Sequence, residues 1–565
     1  MAGPEDAGTR PGGEAGGSQK QEHEQEPETP RPTRSRQRTQ GSRVVVHPIL
    51  FAAFPILFLW AHNLDQGVDL DEVVRPILLS VGVAAALWAI GTRILHDARR
   101  AGLVVSVLAL MFFSFGYLVL AVGNVSHGNT AMLLAGWCVL AAIAVVFILR
   151  GGAWVPSVTN GFNIAAVVLV GMNLFTVVWA QVDPGAGSTK SVLQGAPTLP
   201  PSLLASPPAH RPDVYYIIFD EYGGTRTLQD FFDYDSEPLM KWLQGKGFVL
   251  PAHSATNYPR TELALASSMN LRYLGFLTAK MGPNTGNITP ITNLLQHAQI
   301  GTIMKSLGYD YIHIGSWLNQ TRTAVNADVN LTHGGSDFSN LLKQEPATSQ
   351  AFRTEAWRTT LWQLSTTEHL QRYTGPRFVF THILCPHGPL VFERDGSLLP
   401  RSTLDREGEK QAYVDQHYWI DQQIRKLVTS LQDRPADQQP VIVLQADEGP
   451  YPGEPTIWPP HPNPNQLEMK FDILNAYYLP GIPKSAVWPD ITPVNTFRLI
   501  LDEYFHAKLT YLPDREYAFA DLMRHLYVFH DVTRLVHASI WGRPPAPRPI
   551  PPGASDRGSC EDCGY

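Results

Sequence analysis

The chain has 565 residues, which is too long for one ordinary domain, and its 44% hydrophobic content averages segments of unlike character. The formal net charge of −7 is modest for this length, and no basic stripe alternates with aromatic residues in the part expected to fold. Composition and charge therefore exclude nucleic acid as the expected partner of the folded part.

Residues 1–43 form a polar tail rich in Gly, Glu, Gln, Pro and Arg, with almost no large apolar side chain. Such a segment cannot bury enough surface to offset the entropy of ordering, so we predict that it is disordered. Its basic end, RPTRSRQRTQGSR from Arg31 to Arg43, is either an arm for nucleic acid or a topology signal. The second interpretation is favoured because the run directly precedes an apolar stretch.

Residues 44–182 contain five apolar stretches, each near the 17 to 25 residues that a membrane-crossing helix needs. Buried core helices are the alternative, but the stretches have almost no interior charge and are joined by short connections. We therefore predict five transmembrane helices. The stretches cover about 44–62, 76–92, 101–123, 130–149 and 162–182.

The charges between these stretches predict how the chain crosses the membrane. Basic residues lie before the first stretch, in the loop from Arg93 to Arg100 and at Arg150, whereas the first loop is acidic. Because positive loops stay inside, the N-terminus is predicted to be cytoplasmic. Five crossings then place everything after Val182 outside a plasma membrane that the chain spans several times.

Residues 183–212 hold seven prolines and several small residues, a composition typical of a semi-extended spacer. From residue 213 to 541 the pattern changes to short β-rich runs, VYYIIF, YIHIG, FVFTHIL and VIVLQA, separated by helical segments. This alternation predicts an α/β domain with a mostly parallel sheet between helices. Residues 542–565 are predicted to be a disordered C-terminal tail.

Two strands of this domain end in paired carboxylates, Asp220 with Glu221 and Asp447 with Glu448. Sites in such sheets form beyond the carboxyl ends of the strands, and His387 in His-Gly-Pro follows a third strand there. Four carboxylates on one edge repel each other unless something positive lies between them. The pattern therefore predicts a shared cation, with Glu221 as the least certain participant, since a supporting acceptor or an exposed side chain also fits it.

Thr261 is predicted to lie in the first turn of a helix, because NYPRTELALASSMN reads as a loop followed by a helix. Free backbone N–H groups there favour an anion, and a hydroxyl held against a divalent ion can attack phosphorus or sulfur. A threonine at this position is also a common helix cap. Both roles remain open from this stretch alone.

The four cysteines say little about the redox environment of the chain. Cys138 falls in the fourth apolar stretch, and Cys385 precedes Pro386 below the expected site, where a small buried residue is the simpler role. Cys560 and Cys563 form one isolated pair near the C-terminus. Because a zinc site needs a second pair, a disulfide or free thiols are favoured there over metal.

Taken together, these motifs resemble the alkaline phosphatase and sulfatase superfamily. The apolar stretches followed by a catalytic domain resemble lipoteichoic acid synthases, and the threonine and histidine motifs are similar to those of phosphoethanolamine transferases. The resemblance covers about residues 44–500 in architecture and 213–460 in motifs. It implies roles for five residues: Asp220, Thr261, Asp447 and Glu448 as metal ligands, Thr261 also as the nucleophile, and His387 as a phosphate-binding residue or leaving-group acid.

Two departures from that family pattern matter. The usual Asp-His pair is Asp447-Glu448 here, and an oxygen-rich site favours one Mn²⁺, Mg²⁺ or Ca²⁺ ion over Zn²⁺. The Cys-x-Pro-x-Arg motif of sulfatases is replaced by Tyr-Pro-Arg-Thr, so a conventional sulfatase is not expected. His461 is a further candidate ligand, although its proline-rich surroundings equally suit a plain loop.

The preferred function at this point is a membrane-anchored transferase that forms a phosphothreonine. Its partners are membrane lipids: a lipid-linked donor of a phosphate-bearing headgroup and an envelope lipid or glycan as acceptor. The alternatives are a phosphodiesterase or sulfuric-ester hydrolase that uses the same residues, and an inactive domain that binds envelope polymer.

Overall fold

The structure is a computed structural model that describes residues 44–62, 70–122, 127–182, 189–208, 210–334, 349–370, 372–450 and 455–542. The N-terminal tail predicted for residues 1–43 lies outside the described residues. So does nearly all of the predicted C-terminal tail, including Cys560 and Cys563.

Five helices fill the region predicted to cross the membrane. They are α1 His47–Ala61, α2 Leu70–Leu95, α3 Ala98–Val122, α4 His127–Leu149 and α5 Val155–Val182. Within α2 to α5, four segments are long and apolar enough to cross a membrane. The first helix has 15 residues, which gives a length of about 22 Å, short of a hydrocarbon core of about 30 Å. Four of the five predicted stretches are thus confirmed as helices of spanning length.

A polar side chain of another helix satisfies the backbone donors at the start of the first helix. The side-chain oxygen of Asn163 accepts hydrogen bonds from the N–H groups of Val46 and His47 at 3.0 and 3.1 Å. The His47 ring is hydrogen-bonded to Ser106 at 2.6 Å. Free N–H groups at a helix start need such partners when they are buried.

Part of the segment predicted to be a spacer packs on the α/β domain. It forms the short helices α6 Thr189–Leu193 and α7 Pro201–Ala205. Val192 is fully buried in the core of that domain. Lys280 and Arg272 donate hydrogen bonds to the carbonyls of Ser191 and Gln194, at 2.6 and 3.0 Å.

The α/β domain is built on a six-stranded sheet with the order β3-β2-β4-β1-β5-β6. All neighbours in it are parallel except β5 and β6, which confirms the predicted, mostly parallel sheet. The strands are β1 Val214–Phe219, β2 Asp310–Ile314, β3 Val329–Leu331, β4 Arg377–Ile383, β5 Val441–Gln445 and β6 Asn475–Tyr478. Two further strands, β7 Tyr517–Asp521 and β8 His525–Asp531, form a separate antiparallel pair.

Helices lie between these strands in the chain, and one more follows the last strand. They are α8 Thr225–Phe232, α9 Glu237–Gly245, α10 Thr261–Met269, α11 Gly275–Met281, α12 Thr289–Gln296, α13 Gln299–Ser306, α14 Gln350–Glu368, α15 Arg401–Glu407, α16 Glu409–Gln432, α17 Pro464–Phe471, α18 Thr496–Phe505 and α19 Thr533–Trp541.

Strand β1 shows why this sheet has a core on each face. Successive side chains of a strand point to opposite faces, and Tyr216 and Ile218 belong to one apolar cluster whereas Tyr215, Ile217 and Phe219 belong to the other. Every residue of β1 is buried. A run that is apolar at every position is therefore stable only with helices on both sides.

The register of the three central strands brings their carboxyl ends together. Ile218 of β1 pairs with His382 of β4 and with Gln445 of β5. Asp220 follows β1 directly, and its N–H donates to the carbonyl of Ile383 at 3.0 Å. The edge formed by the ends of β1, β4 and β5 is where the candidate site lies.

Candidate metal centre and nucleophile

Three buried side chains converge at this edge: Asp220, His382 and Asp447. Their ligand atoms all lie within 4.8 Å of one another. The Nε2 atom of His382 is 3.2 Å from Asp220 Oδ2 and 3.8 Å from Asp447 Oδ2. Among the described residues this is the one cluster of three or more such side chains with the spacing of a metal site.

The electrostatics of the cluster favour a bound cation. Burial raises the pKa of the Asp447 carboxyl, and the negative charge of Asp220 raises it further. Burial lowers the pKa of His382 to about 4, so the imidazole is neutral at pH 7. A neutral imidazole between two carboxylates leaves excess negative charge, which a divalent ion compensates. These three residues therefore fit the metal ion that the resemblance to the alkaline phosphatase and sulfatase superfamily implies.

Hydroxyl groups form hydrogen bonds on the Nδ1 side of the His382 ring, away from the two aspartates. Its Nδ1 is 2.8 Å from Thr321 Oγ1, and Thr321 Oγ1 is 2.8 Å from Ser316 Oγ. Ser316 can donate onward to the carbonyl of Leu318 at 3.3 Å. If each hydroxyl donates away from the ring, His382 carries its proton on Nδ1. The lone pair of Nε2 is then free to bind a metal. Hydrogen-bond partners on the other ring nitrogen commonly orient metal-binding histidines in this way.

Glu448 points elsewhere and is not part of the cluster of three. Its Oε2 is 2.7 Å from Lys470 Nζ, and the same ammonium is 3.0 Å from Glu221 Oε1. The two strand-end pairs are therefore split. The aspartates face His382, whereas the glutamates share a lysine.

Thr261 is the first residue of α10, as its sequence predicts. Its backbone N–H and its hydroxyl both donate to Glu448 Oε1, at 3.0 and 3.1 Å. The Thr261 side chain is also near enough to Asp447 to lower the pKa of that carboxyl in part, which places the hydroxyl beside the cluster. The neighbouring Arg260 and Glu262 form an ion pair at 2.9 Å.

His387 lies next to the end of β1 and is half-buried. Its backbone N–H donates to the carbonyl of Asp220 at 3.1 Å, which ties the His-Gly-Pro segment to the end of β1. Gln416 of α16 donates to the carbonyls of Pro386 and His387, at 2.8 and 3.2 Å. Cys385 is buried directly before this segment, in the structural position expected from the sequence.

Two residues of this site, His382 and Lys470, were not predicted from the sequence. A histidine inside the otherwise apolar run FVFTHIL is a detectable signal for the first, because a buried imidazole needs partners. No comparable signal marks Lys470 near the end of α17. His461 is exposed and lies outside the cluster of three.

The nitrogen of His382 also changes the expected donor set. Two carboxylates and an imidazole suit Mn²⁺ and admit Zn²⁺, whereas the oxygen-only set expected from Glu448 favours harder ions. The geometry thus identifies a candidate metal site with mixed oxygen and nitrogen ligands.

Comparison with known proteins gives one family match: a model described as Sulfatase covers residues 212–500. No curated protein matches the chain.

Solved structures that match part of the chain include phosphoethanolamine transferases. The soluble domain of lipooligosaccharide phosphoethanolamine transferase A from Neisseria meningitidis matches with 13% identity and a TM-score of 0.36, over 52% of this chain and 88% of that one. The C-terminal periplasmic domain of phosphoethanolamine transferase EptC from Campylobacter jejuni matches with 11% identity and a TM-score of 0.34, over 54% and 92%.

The C-terminal periplasmic domain of EcEptC from Escherichia coli, in a complex with Zn, is a third match. It has 14% identity and a TM-score of 0.35, over 54% of this chain and 84% of that one.

Proposed function

This chain belongs to the sulfatase family, and from that premise we propose that it is a membrane-anchored, metal-dependent transferase that moves a phosphate-bearing headgroup through a phosphothreonine at Thr261. The donor is a membrane lipid, and the acceptor is an envelope lipid or glycan. The observation that carries this proposal is a buried threonine hydroxyl, at the start of a helix, beside a buried Asp-His-Asp cluster.

Threonine at this place favours phosphoryl transfer over sulfate-ester hydrolysis. The residues before it are Tyr258, Pro259 and Arg260, and no cysteine precedes them in the motif. The motif therefore lacks the cysteine that becomes formylglycine in conventional sulfatases. A hydroxyl nucleophile, in contrast, forms a phosphoester directly.

The cation that Asp220, His382 and Asp447 would hold supplies charge stabilisation for the hydroxyl and for the transferring group. Glu448 accepts the hydrogen bond of the Thr261 hydroxyl and is the nearby acceptor for its proton. In the first step, the Thr261 oxygen bonds to phosphorus, the bond from phosphorus to the donor alcohol breaks, and His387 gives that alcohol a proton. In the second step, the acceptor hydroxyl loses its proton to His387 and its oxygen bonds to phosphorus, the bond from phosphorus to Thr261 breaks, and the Thr261 oxygen takes back the proton held by Glu448.

The α10 helix contributes to both steps. Its N-terminal N–H groups and dipole favour negative charge on a phosphate near Thr261. The four helical segments of spanning length supply a membrane anchor that suits a lipid donor. We further propose that α1 makes a fifth crossing. The N-terminus is then cytoplasmic and the catalytic domain extracytoplasmic.

Lipid and glycan profiling of a deletion strain complemented with wild-type, Thr261→Ala or Thr261→Ser protein tests the proposal. A modified envelope product should disappear in the deletion and Thr261→Ala strains and return in part with Thr261→Ser. Release of the free headgroup without a modified acceptor would identify a hydrolase instead. Envelope profiles that are identical in all strains would support the domain that only binds polymer.

A further inference from the structure

Lys470 lies between the two glutamates that follow the two aspartates of the site. Its Nζ atom is 2.7 Å from Glu448 Oε2 and 3.0 Å from Glu221 Oε1. The lysine side chain is 1% exposed and that of Glu448 is fully buried. Most lysines keep their ammonium in water, so this one is held in place by the surrounding fold.

The backbone brings Lys470 to this position. The N–H of Gly449 donates to the carbonyl of Lys470 at 3.0 Å. A Cβ atom at residue 449 would lie 2.0 Å from the carbonyl oxygen of Met469. Only glycine therefore lets the end of α17 lie directly against the residues that follow Asp447 and Glu448.

Lys470 also connects to the proposed nucleophile. One oxygen of Glu448 faces the ammonium, and the other accepts both hydrogen bonds from Thr261. A carboxylate fixed at both oxygens has one orientation. The position of the Thr261 hydroxyl is thus tied to Lys470 through Glu448.

We propose that Lys470 is a built-in cation that occupies the place between Glu221 and Glu448 where a second divalent ion would otherwise bind, and that it positions Thr261 through Glu448. The ammonium contacts one oxygen of each glutamate, and oxygen ligands of Ca²⁺ lie only slightly closer, at roughly 2.3 to 2.6 Å. The site then takes one exchangeable ion, at Asp220, His382 and Asp447. This inference deepens the proposed function and rests on it.

Metal content of the full-length protein in detergent tests the inference, after equilibration with Mn²⁺ and removal of loosely bound ion. Lys470→Met removes the charge and keeps most of the volume. Lys241→Met is the matched control, because that lysine is 74% exposed and pairs with Glu237 on the surface. We expect one Mn per chain in wild type and control, twice that in Lys470→Met, and one again in Lys470→Met/Glu448→Gln. Equal Mn content in wild type and Lys470→Met would overturn the inference.

Thermal unfolding without metal supplies a second measurement, and if Lys470→Met does not fold, recovery of folding in Lys470→Met/Glu448→Gln is the readout. The single variant leaves two glutamates without their shared lysine, so its Tm should fall, and the added Glu448→Gln should restore much of the loss. A double variant no more stable than Lys470→Met overturns the inference. This coupling does not depend on catalysis, whereas wild-type protein that binds no Mn²⁺ overturns the proposed function itself.

The positioning role has a kinetic signature. Lys470→Arg keeps the charge and should retain more transfer activity than Lys470→Met, and the loss in both should fall on kcat rather than on KM. Arginine and methionine variants with equal activity would contradict positioning by charge.

Discussion

The backbone N–H and the hydroxyl of Thr261 donate to the same oxygen of Glu448, at 3.0 and 3.1 Å. One carboxylate from the end of β5 thus caps α10 and orients the side chain at its start. The cap and the nucleophile, which are alternatives in the sequence, are compatible in the structure, because Glu448 rather than Thr261 satisfies the free N–H. The threonine oxygen keeps its lone pairs for other chemistry.

Thr261→Ala should abolish transfer with little change in fold. Loss of one hydroxyl hydrogen bond costs about 1 kcal/mol of stability, whereas loss of a nucleophile lowers the rate by several orders of magnitude. Thr261→Ser should keep part of the activity. Intact-mass analysis after incubation with donor lipid and no acceptor should show a phosphate-containing adduct on the peptide around Thr261. Near wild-type turnover of a normally folded Ala variant would rule out the proposed mechanism.

His382→Gln should reduce the bound metal of the purified protein by removing the one nitrogen of the Asp220, His382 and Asp447 cluster. Asp447→Asn should do the same by removing charge. Metal analysis under non-chelating conditions measures both, and binding should weaken in acid because carboxylates and imidazole must be deprotonated to bind. His461→Gln is the matched control, since His461 is exposed and outside the cluster. Equal metal loss in all three variants would speak against the assignment.

Asp421 should make stability depend on pH. Burial raises its pKa from 3.8 to about 6 in the folded protein, although the Tyr222 and Tyr234 hydroxyls donate to it and lower the pKa in part. The folded state therefore binds this proton more tightly than the unfolded state, and its contribution to stability is lost as pH rises from about 4 to about 6. The loss is about 1 to 3 kcal/mol.

Denaturant unfolding at pH 4 to 8 of wild type and Asp421→Asn measures this contribution. The Asn variant should lose the decline between pH 4 and 6. Asp405→Asn serves as the control, because Asp405 forms an exposed ion pair with Arg401 and should leave the profile unchanged. An unaltered profile in Asp421→Asn would show that another group dominates this range.

Val192→Asp should destabilise the α/β domain, even though it lies in the segment predicted to be a spacer. Val192 is fully buried in the core, whereas Val325 is 67% exposed. Exchanging a buried valine for a carboxylate loses about 1.5 to 3 kcal/mol of burial and adds the cost of a buried charge. Thermal unfolding should show a large fall in Tm for Val192→Asp and almost none for Val325→Asp. Similar Tm values for the two would mean that the segment does not pack as described.

Protease added to intact spheroplasts should release the domain that begins near residue 213, because the basic residues around Arg93 to Arg100 favour a cytoplasmic loop. The N-terminal tail should be cleaved only after lysis. A domain that stays protected until lysis would reverse the topology and remove the extracytoplasmic substrate from the proposal.

The local sequence determined the fold class, the strand-end carboxylates and the helix start at Thr261. Runs such as VYYIIF and VIVL are apolar at every position, and only a sheet covered on both faces buries them. Parallel strands bring their carboxyl ends to one edge, so Asp220 and Asp447 were predictable neighbours. These are consequences of periodicity and of residues adjacent in the chain.

Only the tertiary structure decided which groups face these carboxylates. His382 contacts Asp220 because β4 lies directly beside β1, and strand order is set by packing among distant segments. Lys470 reaches Glu448 because the end of α17 packs against the backbone at Gly449. Asp447 and Glu448 are adjacent in the chain, but their side chains contact different partners. The backbone beyond the end of a strand follows the surrounding elements, and these elements, rather than the two residues themselves, set the direction of each side chain.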